Sequence, residues 1–333
     1  MNQKILTKTV ARLMKVPKGI LAIDESLNTC GGRFLKLGVP NTEEKRREFR
    51  ELLITAPKIE KYISGYILFD ETIRQNAVNG KSFISILQSK GIEVGIKVDA
   101  GTTDFLGHPG ERITKGLDGL EERLKEYKKF GATFAKWRAV YTIGINTPSF
   151  DCMKKNAEIF AKYAILCQEN DIVPIVEPEI LIDGNHTIEK CYQATARNLD
   201  AVFSKLKSAG VFSRGMILKT SMILSGKDSK EKSSPEKVAN MTLKCLKERV
   251  PADIGGIVFL SGGQSDENAI LNLNAMHKNK SLPWPLTFSY GRAIQNKALE
   301  SWAKNPKDIA STQKLLLKAA ENNSLASAGK YLV

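Results

Sequence analysis

Eight short runs rich in Val, Ile and Phe recur along the chain, at 19–24 (GILAID), 62–69 (YISGYILF), 94–99 (VGIKVD), 134–141, 172–179, 216–222, 256–260 and 286–290. Each is too short for a buried helix and has the length and β-branched content of a strand covered on both faces. Between them lie longer stretches of helical period at 42–55, 117–130, 150–169, 187–208, 235–248, 265–277 and 293–303, while the segment after 62–69 has no clear period. A capping box, Asn41-x-x-Glu44, is expected to open the first of these helices. Strands alternating with helices form βαβ units and a parallel sheet, and eight such units predict an α/β fold, a closed (β/α)8 TIM barrel. An extra N-terminal helix near 3–15 and a C-terminal helical segment at 308–322 fall outside the repeat. No Pro/Gly/Ser linker or break in composition divides the sequence, so residues 1–333 are expected to form a single barrel domain. The rival, an open doubly wound sheet, needs a Gly-rich dinucleotide fingerprint in its first turn, and AIDESLNTCGG lacks that spacing.

Composition removes several function classes. No run approaches the roughly 18 apolar residues of a membrane span, and the opening MNQKILTKTVARLMKVPKG has no signal-peptide core, so a cytoplasmic protein is expected. Five cysteines without a C-x-x-C pair predict reduced, mostly buried thiols, and three scattered histidines give a histidine-ligated metal little to work with. The formal charge is +14, from 50 Lys and Arg against 36 Asp and Glu, but the lysines are interspersed with acids as in KRREFRE. That pattern reads as solvated surface first, and as attraction to phosphorylated small molecules or acidic filaments second.

Charge inside the apolar strands is the anomaly. Lys97 and Asp99, Lys136 and Arg138, and Glu177 and Glu179 are each two residues apart, so each pair projects to one face of its strand. An unpaired charge there costs on the order of several kcal/mol, so these groups need one another. With Asp24 and Lys219 the tally is four acids (Asp24, Asp99, Glu177, Glu179) against four bases (Lys97, Lys136, Arg138, Lys219). Collected at the C-terminal ends of the strands, they would form the polar mouth where barrel enzymes carry out their chemistry.

Two loops point to a ligand. FLSGGQS (259–265) and FSYGRA (288–293) follow the seventh and eighth strand runs, where barrels commonly bind phosphate on backbone N–H groups and a helix N-terminus. Ser261, Gly262, Gly263, Ser289, Gly291 and Arg292 are the candidates there. A second phosphate could meet Ser26, Thr29, Arg33 and Lys97, although Asp24 or Ser26 capping a helix explains part of that pattern equally well.

Taken together, AIDES, GIKVD, FAKWR, VPIVEPEIL, the ILK segment, FLSGGQS and LTFSYGRA resemble, in order and spacing, the class I, Schiff-base fructose-1,6-bisphosphate aldolases, from about Lys18 to Tyr331. The resemblance implies reversible cleavage of fructose 1,6-bisphosphate to dihydroxyacetone phosphate and glyceraldehyde 3-phosphate in glycolysis and gluconeogenesis. It also implies that the reaction needs no metal or other cofactor and that the enzyme is a homotetramer. By matched position, Lys219 is similar to the Schiff-base lysine, Glu177 to the acid/base for carbinolamine dehydration, and Asp24 to the carboxylate handling the C4 hydroxyl. Glu179, Lys136 and Arg138 support charge and proton position; Ser261, Gly262, Gly291 and Arg292 resemble the ketose-side phosphate site, and Ser26, Thr29, Arg33 and Lys97 the opposite one.

The logic of the residues agrees with these roles, because breaking a C–C bond beside a ketone needs an electron sink, which a protonated lysine imine supplies. Three positions depart from the family pattern. Thr220-Ser221 stands where Pro-Asn is usual and Gly32 where many members carry lysine, and SAGKYLV has no tail ending in the tyrosine that assists proton exchange, which leaves Tyr331 as a stand-in if it reaches the mouth. Two other readings stay open: a Schiff-base aldolase for another phosphorylated ketose, such as sedoheptulose bisphosphate or fructose 1-phosphate, and a non-catalytic basic scaffold for acidic filaments or nucleic acid.

Overall fold

The computed structural model describes residues 1–278 and 282–332. Its strands are β1 (Gly19–Ala22), β2 (Ile63–Leu68), β3 (Glu93–Lys97), β4 (Thr102–Asp104), β5 (Arg112–Thr114), β6 (Phe134–Tyr141), β7 (Val173–Ile180), β8 (Ile217–Thr220), β9 (Ile257–Phe259) and β10 (Leu286–Tyr290). Eight of them close a parallel barrel in the order β1-β10-β9-β8-β7-β6-β3-β2. These are the eight apolar runs of the sequence, with ends that agree to within two residues.

β4 and β5 form a separate antiparallel hairpin between β3 and β6 that the sequence did not announce. Its strands, TTD and RIT, are too short and polar to carry an alternating pattern.

Around the barrel run α1 (Gln3–Leu13), α2 (Leu27–Leu35), α3 (Glu43–Thr55), α4 (Asp70–Ile73), α5 (Phe83–Ser89), α6 (Leu120–Phe130), α7 (Phe150–Glu169), α8 (Ile188–Ser208), α9 (Pro235–Arg249), α10 (Asp266–His277), α11 (Arg292–Lys304) and α12 (Ile309–Ala326). The expected cap of α3 is corrected by one residue. Thr42, not Asn41, is the N-cap, its hydroxyl accepting from the Lys45 N–H at 3.2 Å, while Asn41 accepts from Arg46 at 2.8 Å.

The inside of the barrel is divided by polarity along its axis. At the N-terminal end, Leu6, Val10, Leu13 and Met14 of the N-terminal helix segment pack on Ile20, Ile67, Phe134, Val173, Ile175, Ile217 and Val258. Phe134 fills space that two glycines leave: a Cβ on Gly95 would lie 2.2 Å from its ring, and one on Gly65 would lie 3.2 Å away. With this apolar plug below, the charged residues occupy the other end, where the strands finish.

Candidate active site

All eight strand-borne charges line one open cavity of about 1070 Å³ at the C-terminal ends of the strands, and every one of them is in an ion pair with another member of the set. Lys136 Nζ lies 2.7 Å from Asp24 Oδ2 and 3.2 Å from Glu177 Oε2. Lys219 Nζ lies 3.1 Å from Glu177 Oε1. Lys97 Nζ meets Asp99 Oδ1 at 2.7 Å, and Arg138 Nε donates to Glu179. The balance read from the sequence is therefore a physical network, with Glu177 bridging two lysines. Strand register puts the partners within reach: Arg138 faces Glu177 across the β6–β7 ladder, and Glu179, with which it pairs, lies two residues further along the same face of β7.

Burial sharpens the electrostatics. Lys219, Lys136 and Glu177 are each no more than 4% exposed, so their attraction is little screened by water. Burial alone would raise the pKa of Asp24, but the nearby ammonium groups of Lys136 and Lys219 outweigh it and hold that carboxyl at about 2. For Lys136, burial favours the neutral amine, yet Asp24, Glu177 and Asp99 together push its pKa above the ordinary lysine value. Lys136 is thus a fixed cation, and Asp24 an ionised carboxylate, across the neutral range. Arg138 is likewise raised, its carboxylate neighbours prevailing over burial.

The glycine loops sit where the sequence suggested. Gly262 and Gly263 adopt φ of +51° and +84°, a left-handed backbone that favours glycine and turns the chain sharply after β9. Ser261, Gly262, Ser289, Gly291 and Arg292 line the cavity, whereas Gly263 turns away from it and packs near Ile182. Ser289 Oγ is buried without a hydrogen-bond partner, the condition of a hydroxyl awaiting an acceptor. Gly291 caps α11, and a Cβ there would come 3.1 Å from the Ala22 carbonyl.

After β1, Ser26 both caps α2, accepting from the Thr29 N–H at 3.3 Å, and lines the cavity, so capping does not remove it from the mouth. Thr29, Arg33 and Lys97 line it as well. Arg33 is not free: it donates to Glu25, to Gln295 Oε1 at 3.1 Å and to Asn296 Oδ1 at 3.3 Å.

Sequence reasoning missed Glu25, Phe69, Asp70, Arg123 and Tyr127, which also line the cavity. Glu25 was within reach as the neighbour of Asp24, and Phe69 as the end of the run at 62–69; Asp70, Arg123 and Tyr127 come from helices with no strand pattern to mark them. The departures from the family pattern are also located. Thr220 and Ser221 are buried, Ser221 Oγ donating to the Ile180 carbonyl at 3.0 Å, and a Cβ on Gly32 would meet open space. Tyr331 is tied by its backbone to Asn274, whose side chain accepts from the Tyr331 N–H and donates to its carbonyl, both at 3.1 Å. Asn274 lies two turns along α10 from the start of that helix, roughly 12 Å by helical rise, and Tyr331 is not among the residues that line the cavity.

The five cysteines are unpaired and buried, as expected. Among the described residues no group of three or more His, Cys, Asp or Glu is placed to hold a metal ion, and no helix is long and apolar enough to cross a membrane.

Comparison with known proteins agrees with this geometry. A family model described as "Glycolytic: Fructose-bisphosphate aldolase class-I" matches residues 5–333. The chain is 50% identical over 332 residues to a probable fructose-bisphosphate aldolase class 1 of Xanthomonas campestris pv. campestris, covering 99% of each chain. It is 48% identical to the cytosolic fructose-bisphosphate aldolase 5 of Arabidopsis thaliana, covering 98% of this chain and 91% of that one. Among solved structures, fructose-bisphosphate aldolase from Plasmodium falciparum, determined in complex with TRAP and a small molecule inhibitor, superposes with a TM-score of 0.97 at 43% identity, covering 99% of this chain and 96% of that one. The closed barrel, the lysine–carboxylate network at its mouth and these full-length matches lead to one assignment: the chain belongs to the class I fructose-bisphosphate aldolase family.

Proposed function

We propose that the chain cleaves fructose 1,6-bisphosphate reversibly to dihydroxyacetone phosphate and glyceraldehyde 3-phosphate, through a Schiff base on Lys219. The observation that carries this reading is the Lys219 amine, buried at the end of β8 and 3.1 Å from Glu177. Lys219 passes a proton to Glu177, its amine attacks C2 of the open-chain ketose, and water leaves the carbinolamine once its hydroxyl takes that proton from Glu177. The C3–C4 bond then breaks, its electron pair flowing into the iminium to give an enamine, while the C4 hydroxyl proton passes to Asp24. A carboxylate held at about pKa 2 is a weak base. It suffices here because that hydroxyl becomes a carbonyl as the bond breaks, so its proton grows strongly acidic. Protonation of the enamine at C3 and hydrolysis release the second product and free Lys219.

In this reading Lys136 keeps Asp24 ionised and shares Glu177 with Lys219, while Arg138 and Glu179 brace the carboxylate side. Ser261, Gly262, Ser289, Gly291 and Arg292 take the ketose-side phosphate, and Ser26, Thr29, Arg33 and Lys97 the other. The whole chain acts as one catalytic unit, in the cytoplasm and as a homotetramer, with any binding to acidic filaments secondary to its basic surface.

The test is reduction with borohydride in the presence of dihydroxyacetone phosphate. Covalent label is expected on Lys219, and Lys219→Met is expected to lose both label and cleavage; label on a different lysine overturns the assignment. Because the iminium is the electron sink, EDTA is expected to leave turnover unchanged.

A further inference from the structure

Behind the distal phosphate group of residues lies a buried ion pair that the reaction as described does not use. Arg50, on α3 and 2% exposed, donates through Nη2 to Glu25 Oε2 at 2.7 Å. Its other terminal nitrogen, Nη1, is buried with no hydrogen-bond partner among the described residues. Glu25 uses its remaining oxygen, Oε1, on Arg33, the cation assigned above to the distal phosphate. Arg33 also reaches Gln295 and Asn296 on α11, and Gln295 in turn donates to the Ala22 carbonyl at 2.6 Å, so this knot ties together α2 and α11, which follow the adjacent strands β1 and β10.

The arrangement poses a problem for an incoming phosphate. Arg33 is already neutralised by Glu25, and a buried carboxylate deprived of a cation is costly. The spare N–H of Arg50 answers it. If Arg33 turns to a phosphate, Glu25 can close onto both terminal nitrogens of Arg50, the fork geometry that suits a guanidinium and a carboxylate.

Resting on the proposed reaction, we infer that Arg50 is a positioning residue whose unused N–H lets Glu25 release Arg33 to the phosphate distal to the ketone. The exchange then favours ketoses carrying two phosphates over those carrying one. Lysine cannot replace Arg50, having no second donor fixed in the same plane.

The experiment compares cleavage of fructose 1,6-bisphosphate with that of fructose 1-phosphate, which lacks the distal phosphate. In Arg50→Met and Arg50→Lys, the ratio of kcat/KM values, bisphosphate over monophosphate, is expected to fall about tenfold. The loss should lie in KM for the bisphosphate, with its kcat within twofold. Glu25→Gln, which removes the competitor for Arg33, is expected to raise the same ratio about threefold. An unchanged ratio in the soluble Arg50 variants, with both substrates weakened alike, marks a purely structural pair and overturns the inference. Should neither Arg50 variant fold, Glu25→Gln decides alone: a ratio that falls or stays constant overturns it. Failure of the wild-type protein to cleave either substrate is a different result, and counts against the aldolase reading itself.

Discussion

Lys136 is the residue on which the mouth's charge balance turns, since it touches both Asp24 and Glu177 and its cationic state is enforced by them. Lys136→Met is expected to lower kcat about 10²- to 10³-fold, the range typical of lost acid–base assistance. It should also let burial raise the Asp24 pKa out of its depressed value, which carbon-detected NMR titration of the carboxyl would report. The linkage has a definite sign. Asp24 has a folded pKa of about 2 against 3.8 unperturbed, so its contribution, about 2 kcal/mol, is complete above pH 4 and is lost as pH falls toward 2. Urea denaturation of wild type and Asp24→Asn between pH 5 and 2 is expected to show the two stability curves converging at the acid end. At this scale the sequence was most informative. A charge at every second residue of an apolar strand is visible without coordinates, and all eight such residues meet in one cavity. Arg50 was not legible, because an arginine in a helix as charged as EEKRREFRELLIT carries no mark of the face it turns inward.

Among the elements, strand β3 shows how packing at one end of the barrel supports chemistry at the other. Its Gly95 leaves the space that the Phe134 ring fills, and its Lys97 reaches the mouth. Gly95→Ala is expected to destabilise the protein by about 1–3 kcal/mol through overpacking, and Phe134→Leu on that background to recover part of the loss, as read by denaturant midpoints. Ser26→Ala should cost α2 about 1 kcal/mol as a lost cap while also raising KM for the bisphosphate. The eight barrel strands and most helices were legible because burial on both faces leaves an unbroken apolar run. α2 was legible only as a possible cap at Ser26, since LNTCGGRFL holds two adjacent glycines, and the β4–β5 hairpin was missed because TTD and RIT are too short and polar to show an alternation.

For the molecule as a whole, acid stability has a second, slower component at the far end of α10. Burial lowers the His277 pKa from 6.5 to about 4, and Nε2 has no partner among the described residues to reward protonation. The unfolded chain therefore binds the extra proton between pH 6.5 and 4, and stability should be complete above pH 6.5 and decline as pH falls toward 4. Replacing His277 by Gln is expected to flatten that part of the stability–pH curve. Gly329 packs directly on His277 and Asn274 holds Tyr331, so the same protonation loosens the C-terminal segment from α10. Asn274→Ala should free that segment, seen as faster amide exchange at Tyr331, with cleavage rates unchanged because the clamp lies far from Lys219.

The hydrophobic plug formed by the N-terminal helix segment and Phe134 gives the barrel a closed floor, so among the described residues its charged interior opens at the C-terminal ends of the strands. Both halves of a split sugar must leave by the route the whole one used. Covalency sets the order of traffic: the aldehyde, tethered to nothing, departs first, while its sibling stays bonded to nitrogen until water reaches it through the same opening. A small molecule that merely loiters in that doorway would halt turnover without touching the lysine.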